Sequence, residues 1–233
     1  LIHATHCTNP GFSQSPSRST VDLDASVIVA NRYDDFPPDD PEAKGSVTKL
    51  GLVIGGEPVD ANGVPNDQGH YLKPTAEYPF EYCTCADRNW DGLIRTSRGL
   101  GDILPWDNID GADDDGGIAN AEDECILWHE RASGTGMRTL AIDKNNDVWC
   151  GGSGNGKHDQ LNGFTGLHEQ GPFYDVNDGC GGYGGVVVYW PGASSGILWS
   201  ASGQGHSLLK GPLSSSGVWD CKDFGSYPAY GIG

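Results

Sequence analysis

Three segments of the chain repeat one plan, in which a short apolar strand is followed by a turn rich in Asp, Asn and Gly and then by a second strand. They run from Ser19 to Ile54, from Thr139 to Gly166 and from Gly184 to Lys210. Strands joined by tight turns at such short spacing indicate antiparallel sheets. Three or four strands in roughly 30 to 40 residues is the size of one propeller blade, although a β-sandwich gives similar local patterns.

The composition supports an all-β fold. The 233 residues include 36 glycines and 14 prolines, which suits many short strands and argues against a helical bundle. We predict a single short helix, capped by Asn120 and running through AEDECILWHERA, with acids in its first turn. Arg131 lies near its end, and Ser133-Gly134 stops it.

The second repeat contains the most specific phrase in the sequence. AIDKNNDVWCGG, with GSVTKLGLVIGG before it and GILWSASGQGHSLLK after it, resembles the lyase-like β-propeller superfamily, which includes streptogramin lyases and the propeller sensors of two-component regulators. Blades of that superfamily carry an apolar-x-Asp-x-x-Gly-x-Val-Trp-Val phrase, and here Asn146 replaces the glycine and Cys150 the last valine. The resemblance implies propeller blades over half of the chain. Three or four blades do not close a ring, so it also implies an incomplete one.

The acidic residues are concentrated in the middle of the chain. The net charge is -18, and the segment from Glu57 to Glu124 holds 16 of the 32 acids against four bases. Such a segment repels nucleic acid and anionic membranes, and no apolar run of 18 residues occurs that could span a bilayer. Either a divalent cation neutralises these acids or they form a solvated acidic surface.

A calcium loop is the sharpest motif. An EF-hand-type loop has oxygen ligands at positions 1, 3 and 5, glycine at 6, a backbone carbonyl at 7 and an apolar residue at 8. The sequence meets these six requirements with Asp87, Asn89, Asp91, Gly92, Leu93 and Ile94. Position 12, which should be a bidentate carboxylate, is Arg98. The alternative is an Asp/Asn/Gly-rich turn without metal.

A second loop follows about 20 residues later, and it is incomplete in the opposite way. It places Asp113 at position 3, Asp115 at position 5 and Glu122 at position 12, but Gly111 at position 1. The two loops resemble a degenerate EF-hand or dockerin pair. We predict calcium at Asp87, Asn89, Asp91 and the Leu93 carbonyl, completed by Glu122 or another carboxylate of the predicted helix. We also predict a weaker site at Asp113, Asp115 and Glu122. The similar spacing in Asp143–Asp147 lacks the glycine, and we interpret it as a hairpin turn.

The cysteines favour disulfides over zinc, because the sequence contains no CxxC pair. Seven cysteines leave at least one outside an intrachain pair, and the candidates are Cys83, Cys85, Cys125, Cys150, Cys180 and Cys221. A bond from Cys83 or Cys85 to Cys125 would clamp the predicted helix against the first calcium loop. Disulfides indicate a secreted, extracellular or cell-surface protein.

These features divide the chain into four parts. Residues 1–18 form an extended leader, 19–56 the first blade or blades, 57–136 the acidic calcium-binding insertion with its helix, and 137–233 further blades. The sequence stops in what resembles the opening of a strand, Tyr230 to Gly233, so we expect the last blade to be truncated.

Two functions fit this sequence. The first is a calcium-stabilised structural or adhesive propeller protein that assembles with its own copies, as in a surface layer or filament, or with a surface partner. The second is a lyase-type or carbohydrate-active propeller enzyme, and carbohydrate binding could use Trp149, Trp190, Trp199 and Trp219 as stacking platforms. No set of acids or histidines stands out as catalytic, which favours the first.

Overall fold

The structure is a computed structural model. It describes residues 16–33, 44–99, 102–105, 122–174, 180–203, 206–214, 217–223 and 225. These residues contain only strands, turns and bridges, which confirms the predicted all-β class, and they contain no helix that could cross a bilayer.

Three four-stranded antiparallel sheets form the body of the molecule. The first contains β1 (Pro16–Val21), β2 (Val27–Asn31), β3 (Lys44–Leu50) and β9 (Ile126–Thr135). The second contains β10 (Met137–Ile142), β11 (Val148–Gly152), β12 (His158–Leu161) and β13 (His168–Phe173). The third contains β14 (Gly184–Val188), β15 (Ile197–Ala201), β16 (Ser207–Pro212) and β17 (Asp220–Asp223). Each sheet is a meander of the size and order of a propeller blade.

An insertion separates the third and fourth strands of the first sheet. It forms a two-stranded sheet from β4 (Val53–Gly55) and β7 (Phe80–Cys83). It also forms a three-stranded sheet from β5 (Glu57–Val59), β6 (Tyr71–Lys73) and β8 (Ile94–Arg95). The chain then returns to the first sheet through β9, so the insertion is anchored at both ends by paired strands.

The helix predicted after Asn120 is wrong over its described residues. From Ile126 the chain is strand β9, which pairs with β3 along its length. Burial alternates at the end of β9, and this period of two matches a sheet. The acids expected in a first helical turn, Asp123 and Glu124, are buried and accept backbone hydrogen bonds from the insertion. Pairing with β3 therefore outweighs the local helix signals.

Three tight turns share one hydrogen-bond pattern centred on an aspartate. In each turn the Oδ1 atom accepts from the backbone N–H groups two and four residues later, at 2.8 to 3.1 Å. The residue three positions later has a positive φ. The aspartates are Asp22, Asp60 and Asp143, and the positive-φ residues are Ala25, Gly63 and Asn146. Asp143–Asp147 joins β10 to β11, so the hairpin interpretation is confirmed.

Two apolar clusters lie between adjacent sheets. Ile28, Val47 and Trp128 of the first sheet pack against Val148 and Leu161 of the second. Between the second and third sheets, the indoles of Trp149 and Trp219 stack on each other and on Phe173, with ring centroids 5.1 to 6.2 Å apart. The first cluster therefore holds the first and second sheets together, and the aromatic stack holds the second and third sheets together.

Two histidines have pKa values far from the usual one, so each is expected to make stability depend on pH. His158 is fully buried against Ser200, and burial lowers its pKa to about 4. His168, whose Nε2 lies 3.2 Å from Glu130 Oε1, has its pKa raised to about 9 by that hydrogen bond. The His158 contribution is present above the unfolded value of about 6.5 and is lost as pH falls toward 4, at a cost of about 3 kcal/mol. The His168 contribution is present below 6.5 and is lost as pH rises through 9.

We therefore expect unfolding free energy to peak near neutral pH. Urea denaturation between pH 4 and pH 10 measures this, and the His168→Gln variant should flatten the alkaline decline. An alkaline decline that His168→Gln leaves unchanged would contradict the assignment.

Candidate metal centre

The predicted calcium loop lies between β7 and β8, and three side-chain oxygens turn back onto its backbone. Asp87 Oδ2 accepts a hydrogen bond from Gly92 N at 2.9 Å. Asn89 Oδ1 accepts from Asp91 N at 3.0 Å, and Asp91 Oδ1 accepts from Leu93 N at 2.8 Å. The residues predicted for positions 1, 3 and 5 are thus gathered around one short bend. Leu93 is buried and leads into β8.

Two residues of this bend have a positive φ. Gly92 has a φ of 78°, which glycine adopts without steric cost, and this explains the glycine at position 6. Trp90 has a φ of 61°, which is costly for a bulky side chain. Its indole is 89% exposed, so packing does not offset that cost. The hydrogen bonds of the flanking carboxylates hold the bend in this conformation.

One oxygen of the loop is left without a partner. Asp87 Oδ1 is buried and makes no hydrogen bond. Asp91 Oδ2, in contrast, accepts from Asn89 Nδ2 at 2.9 Å. A buried carboxylate oxygen without a donor is unfavourable, because no hydrogen bond offsets the free-energy cost of removing its charge from water.

The carboxylate that meets this loop is Glu124. Its Oε1 accepts from Arg88 N at 2.9 Å and its Oε2 from Arg95 N at 2.8 Å, and the residue is 5% exposed. Glu122, the residue predicted to complete the calcium site, forms an ion pair with Arg95. Arg98, at position 12, donates to the carbonyls of Asp67 and Gly69.

Asp113 and Asp115 of the second predicted loop lie outside the described residues. Within the described residues, no group of three or more His, Cys, Asp or Glu side chains is placed to hold a metal ion. The first loop supplies two carboxylates, from Asp87 and Asp91, and its third side-chain oxygen belongs to the amide of Asn89. Calcium at both loops stays a prediction.

Sequence reasoning missed the role of Asp123. This side chain is fully buried, and its Oδ2 accepts from Ser97 Oγ at 2.6 Å and from Ser97 N at 3.2 Å. Its Oδ1 accepts from Thr96 Oγ1 at 2.9 Å. Asp123 and Glu124 together tie the end of the insertion to the strand that follows the calcium loop. The sequence signal that could have indicated this role is the position of both acids directly before the disulfide-bonded Cys125.

Among the residues that the structure describes, two pairs of cysteines form disulfides. Cys85–Cys125, with a Cα–Cα distance of 4.4 Å, joins the start of the calcium loop to the start of β9 and confirms one of the two predicted pairings. Cys180–Cys221 joins the approach to β14 to the edge strand β17, with a Cα–Cα distance of 6.2 Å. These bonds indicate an oxidising environment.

Cys83 and Cys150, which were also disulfide candidates, are free thiols. Cys150 is buried between the first two sheets, and burial raises its pKa well above the usual thiol value. Cys83 is partly buried beside the Cys85–Cys125 bond, and burial also raises its pKa. A raised pKa lowers the fraction of thiolate, the nucleophilic form, at both cysteines.

The proposed tryptophan platforms divide into two groups. Trp149 and Trp219 belong to the core and have no face open to a sugar. Trp190 is 59% exposed, and Trp199 is partly buried with Lys210 Nζ 5.5 Å from its ring centroid. Only Trp190 presents a broad surface to solvent among these four.

Comparison with known proteins gives no family. No family model and no curated protein matches the chain. Two solved structures align loosely, each with a TM-score of 0.29. One is an auxiliary nutrient binding protein from Bacteroides ovatus, at 10% identity over 95% of this chain and 72% of that chain. The other is the PQQ-bound form of aldose sugar dehydrogenase from Streptomyces coelicolor, at 14% identity over 98% of this chain and 87% of that chain. The fold description rests on the sheets themselves.

Proposed function

We propose that this chain is an extracellular structural or adhesive protein, in which propeller-like blades form a scaffold and calcium orders the acidic insertion. The observation that carries the proposal is the Asp87 carboxylate. One of its oxygens closes the loop onto Gly92 N, and the other is buried without a hydrogen-bond partner. A cation bound at that oxygen would repay its desolvation.

The donors at this loop are of the kind that calcium prefers. Carboxylate, amide and carbonyl oxygens from Asp87, Asn89, Asp91 and Leu93 form a hard ligand set. The surrounding charge supports the same choice, because residues 57–124 carry 16 acids and four bases. Completion of the site by Glu122, and a second ion at Asp113 and Asp115, are the remaining parts of this proposal.

The adhesive role is supported by the tip of the same loop. Trp90 follows the second predicted ligand and is 89% exposed, so calcium would fix a large aromatic side chain at the surface. Aromatic residues of this kind are frequent anchors in protein interfaces. The partner in this proposal is a surface protein or another copy of the chain.

The relationship to the lyase-like propeller superfamily is also a proposal. It is supported by the turn from Asp143 to Asp147, which carries the shared Asp and the left-handed fourth residue, and by Trp149 in the following strand. The same turn geometry at Asp22, between β1 and β2, supports an internal repeat.

The calcium proposal predicts a loss of calcium-dependent stability in the variant Asp87→Asn/Asp91→Asn. Asparagine keeps one acceptor oxygen for the loop backbone at each position but removes both charges. At a calcium concentration 100-fold above Kd the intact protein should gain about 2.7 kcal/mol, or roughly 5–10 °C in Tm. The variant should gain less than about 2 °C under the same conditions.

Asp60→Asn is the matched control, because Asp60 caps a turn of the same insertion without belonging to the calcium loop. It should keep the full calcium response. An equal calcium response in the intact protein and the Asp87→Asn/Asp91→Asn variant would overturn the assignment of the site.

A further inference from the structure

A cavity of about 270 Å³ lies at one end of the three large sheets. It is formed where β2 ends, where β10 begins, just before β14 and just after β15. The residues that line it include Arg32, Tyr33, Arg138, Ser153, Tyr183 and Ser202. These residues come from all three sheets and from distant parts of the sequence, so the fold alone brings them together.

The cavity is basic although the protein is strongly acidic. Arg32 and Arg138 line it, and no aspartate or glutamate is among the described residues that line it. Arg18, on β1, lies with its guanidinium carbon 5.5 Å from the centroid of the Tyr183 ring. Two of the seven arginines in a chain of net charge -18 therefore line this cavity, and a third lies near its Tyr183. None of the ion pairs among the described residues involves these three.

Tyr183 holds two of the cations close together. The guanidinium carbon of Arg138 is 4.4 Å from the ring centroid, and that of Arg18 is 5.5 Å away. The aromatic face attracts each cation, but the two guanidinium groups repel each other across a distance of at most about 10 Å. An oxyanion bound in the cavity beside Arg32 and Arg138 offsets this repulsion, and the planar fork of guanidinium N–H donors suits an oxyanion.

The serine hydroxyls at the cavity define the rest of the ligand. Ser153 Oγ donates to Gly136 O at 3.0 Å, and Ser202 Oγ donates to Ser207 O at 2.7 Å. Ser202 Oγ also accepts from Ser207 N and from Ser207 Oγ, each at 3.3 Å, so both of its lone pairs are used. Ser153 Oγ donates its hydrogen but accepts no hydrogen bond from the described residues, so it offers a ligand an acceptor. This acceptor suits a hydroxyl group on the ligand, while the negative charge faces the arginines.

We propose that this cavity binds a small hydroxylated oxyanion, a carboxylate or phosphate carried on a short polyhydroxy carbon chain. Its volume is just below the usual range of pockets for drug-sized molecules, so the ligand is small. This site is separate from the calcium loop and goes beyond the structural function proposed above.

The test is calorimetric titration of the full chain with gluconate and, separately, with glycerol 3-phosphate at low constant ionic strength. At least one should bind with a Kd below about 1 mM, and the tighter of the two identifies the anion class. Sorbitol and glycerol, which lack the charge, should give no binding. Hexanoate, which lacks the hydroxyl groups, should bind at least fivefold more weakly than gluconate.

Two arginine variants locate the site. Arg138→Gln and Arg18→Gln should each raise the Kd for the anion at least tenfold. Arg18 is exposed, so it can be replaced without disturbing the core. Lys73→Gln is the matched control, because it removes one exposed positive charge from the insertion. It should change Kd by less than twofold, and all three variants should keep the unfolding transition of the intact protein.

Three outcomes would overturn the proposal. The first is the absence of binding by both anions, and the second is an equal loss of binding in Lys73→Gln and the arginine variants. The third is binding that appears only after Asp34→Asn/Asp35→Asn, since these acids follow Tyr33 in the sequence. That result would mean that the arginines are neutralised within the chain.

Discussion

Replacing Lys49 with methionine is expected to lower the free energy of unfolding by about 3–5 kcal/mol. Lys49 Nζ lies 2.6 Å from Asp22 Oδ2 and donates to Gly163 O at 2.8 Å. Both charged side chains are almost fully buried, at 5% and 1% exposure. Methionine fills the space of the lysine stem but leaves the Asp22 carboxylate buried without its counter-charge. Urea denaturation at pH 7 measures the loss.

The double variant Asp22→Asn/Lys49→Met separates the charge from the packing. Asparagine keeps the Oδ1 acceptor that Asp22 offers to Asp24 N and Ser26 N. We expect the double variant to regain at least half of the stability lost in Lys49→Met, because no unpaired charge remains. Lys73→Met, on the surface, should change stability by less than about 0.5 kcal/mol. A Lys49→Met protein within about 1 kcal/mol of the intact protein would contradict the account of this pair.

Removing either disulfide is expected to cost about 2–4 kcal/mol. The bonds close segments of 40 and 41 residues, so chain entropy alone predicts nearly equal effects for Cys85→Ser/Cys125→Ser and Cys180→Ser/Cys221→Ser. Denaturation of each double variant under non-reducing conditions measures the cost. Cys83→Ser, which removes a free thiol and no cross-link, should cost about 1 kcal/mol or less.

The two disulfide variants should differ in calcium binding. Cys85–Cys125 holds the start of the calcium loop against β9, so its loss should weaken calcium binding at least fivefold. Cys180–Cys221 lies in the third sheet, and its loss should leave calcium affinity unchanged. Equal calcium affinity in the two variants would show that the first disulfide does not position the loop.

The fold class could be predicted because its signals are local. Asp143 and the residues after it encode a turn whose hydrogen bonds lie within five residues, and the flanking strands follow from that turn. Asn146, at the position of the usual glycine, adopts a φ of 71°. Its side chain also bonds Leu23 N and Asp24, which ties the turns of the first two sheets together.

The helix failed because its signals were local and the competing pairing was not. Asn120 and the acids after it form a good helix start, but Ile126–Thr135 has a partner strand about 80 residues earlier in the sequence. No local pattern shows that partner. Asp123 and Glu124 look alike in a helix start and in a buried loop anchor, and only the tertiary contacts distinguish the two.

The cavity lined by Arg32, Arg138 and Tyr183 could not be found from sequence for a similar reason. The residues that line it are separated by up to 170 positions, and a single arginine carries no signal of its own. The calcium loop, in contrast, is contiguous, so its six leading positions were readable as a motif. Motifs within one loop are visible in a single sequence, whereas sites assembled across sheets are not.

The measurement that tests the central claim most directly is calorimetric titration of the intact, oxidised protein with calcium at physiological ionic strength, after removal of divalent ions. We predict saturable binding of at least one calcium ion, abolished in Asp87→Asn/Asp91→Asn, and a Tm that rises with calcium concentration as mass action requires. A flat titration with an unchanged Tm would contradict the claim. The acidic insertion would then be a solvated surface held by its disulfide, its paired strands and the buried Asp123 and Glu124.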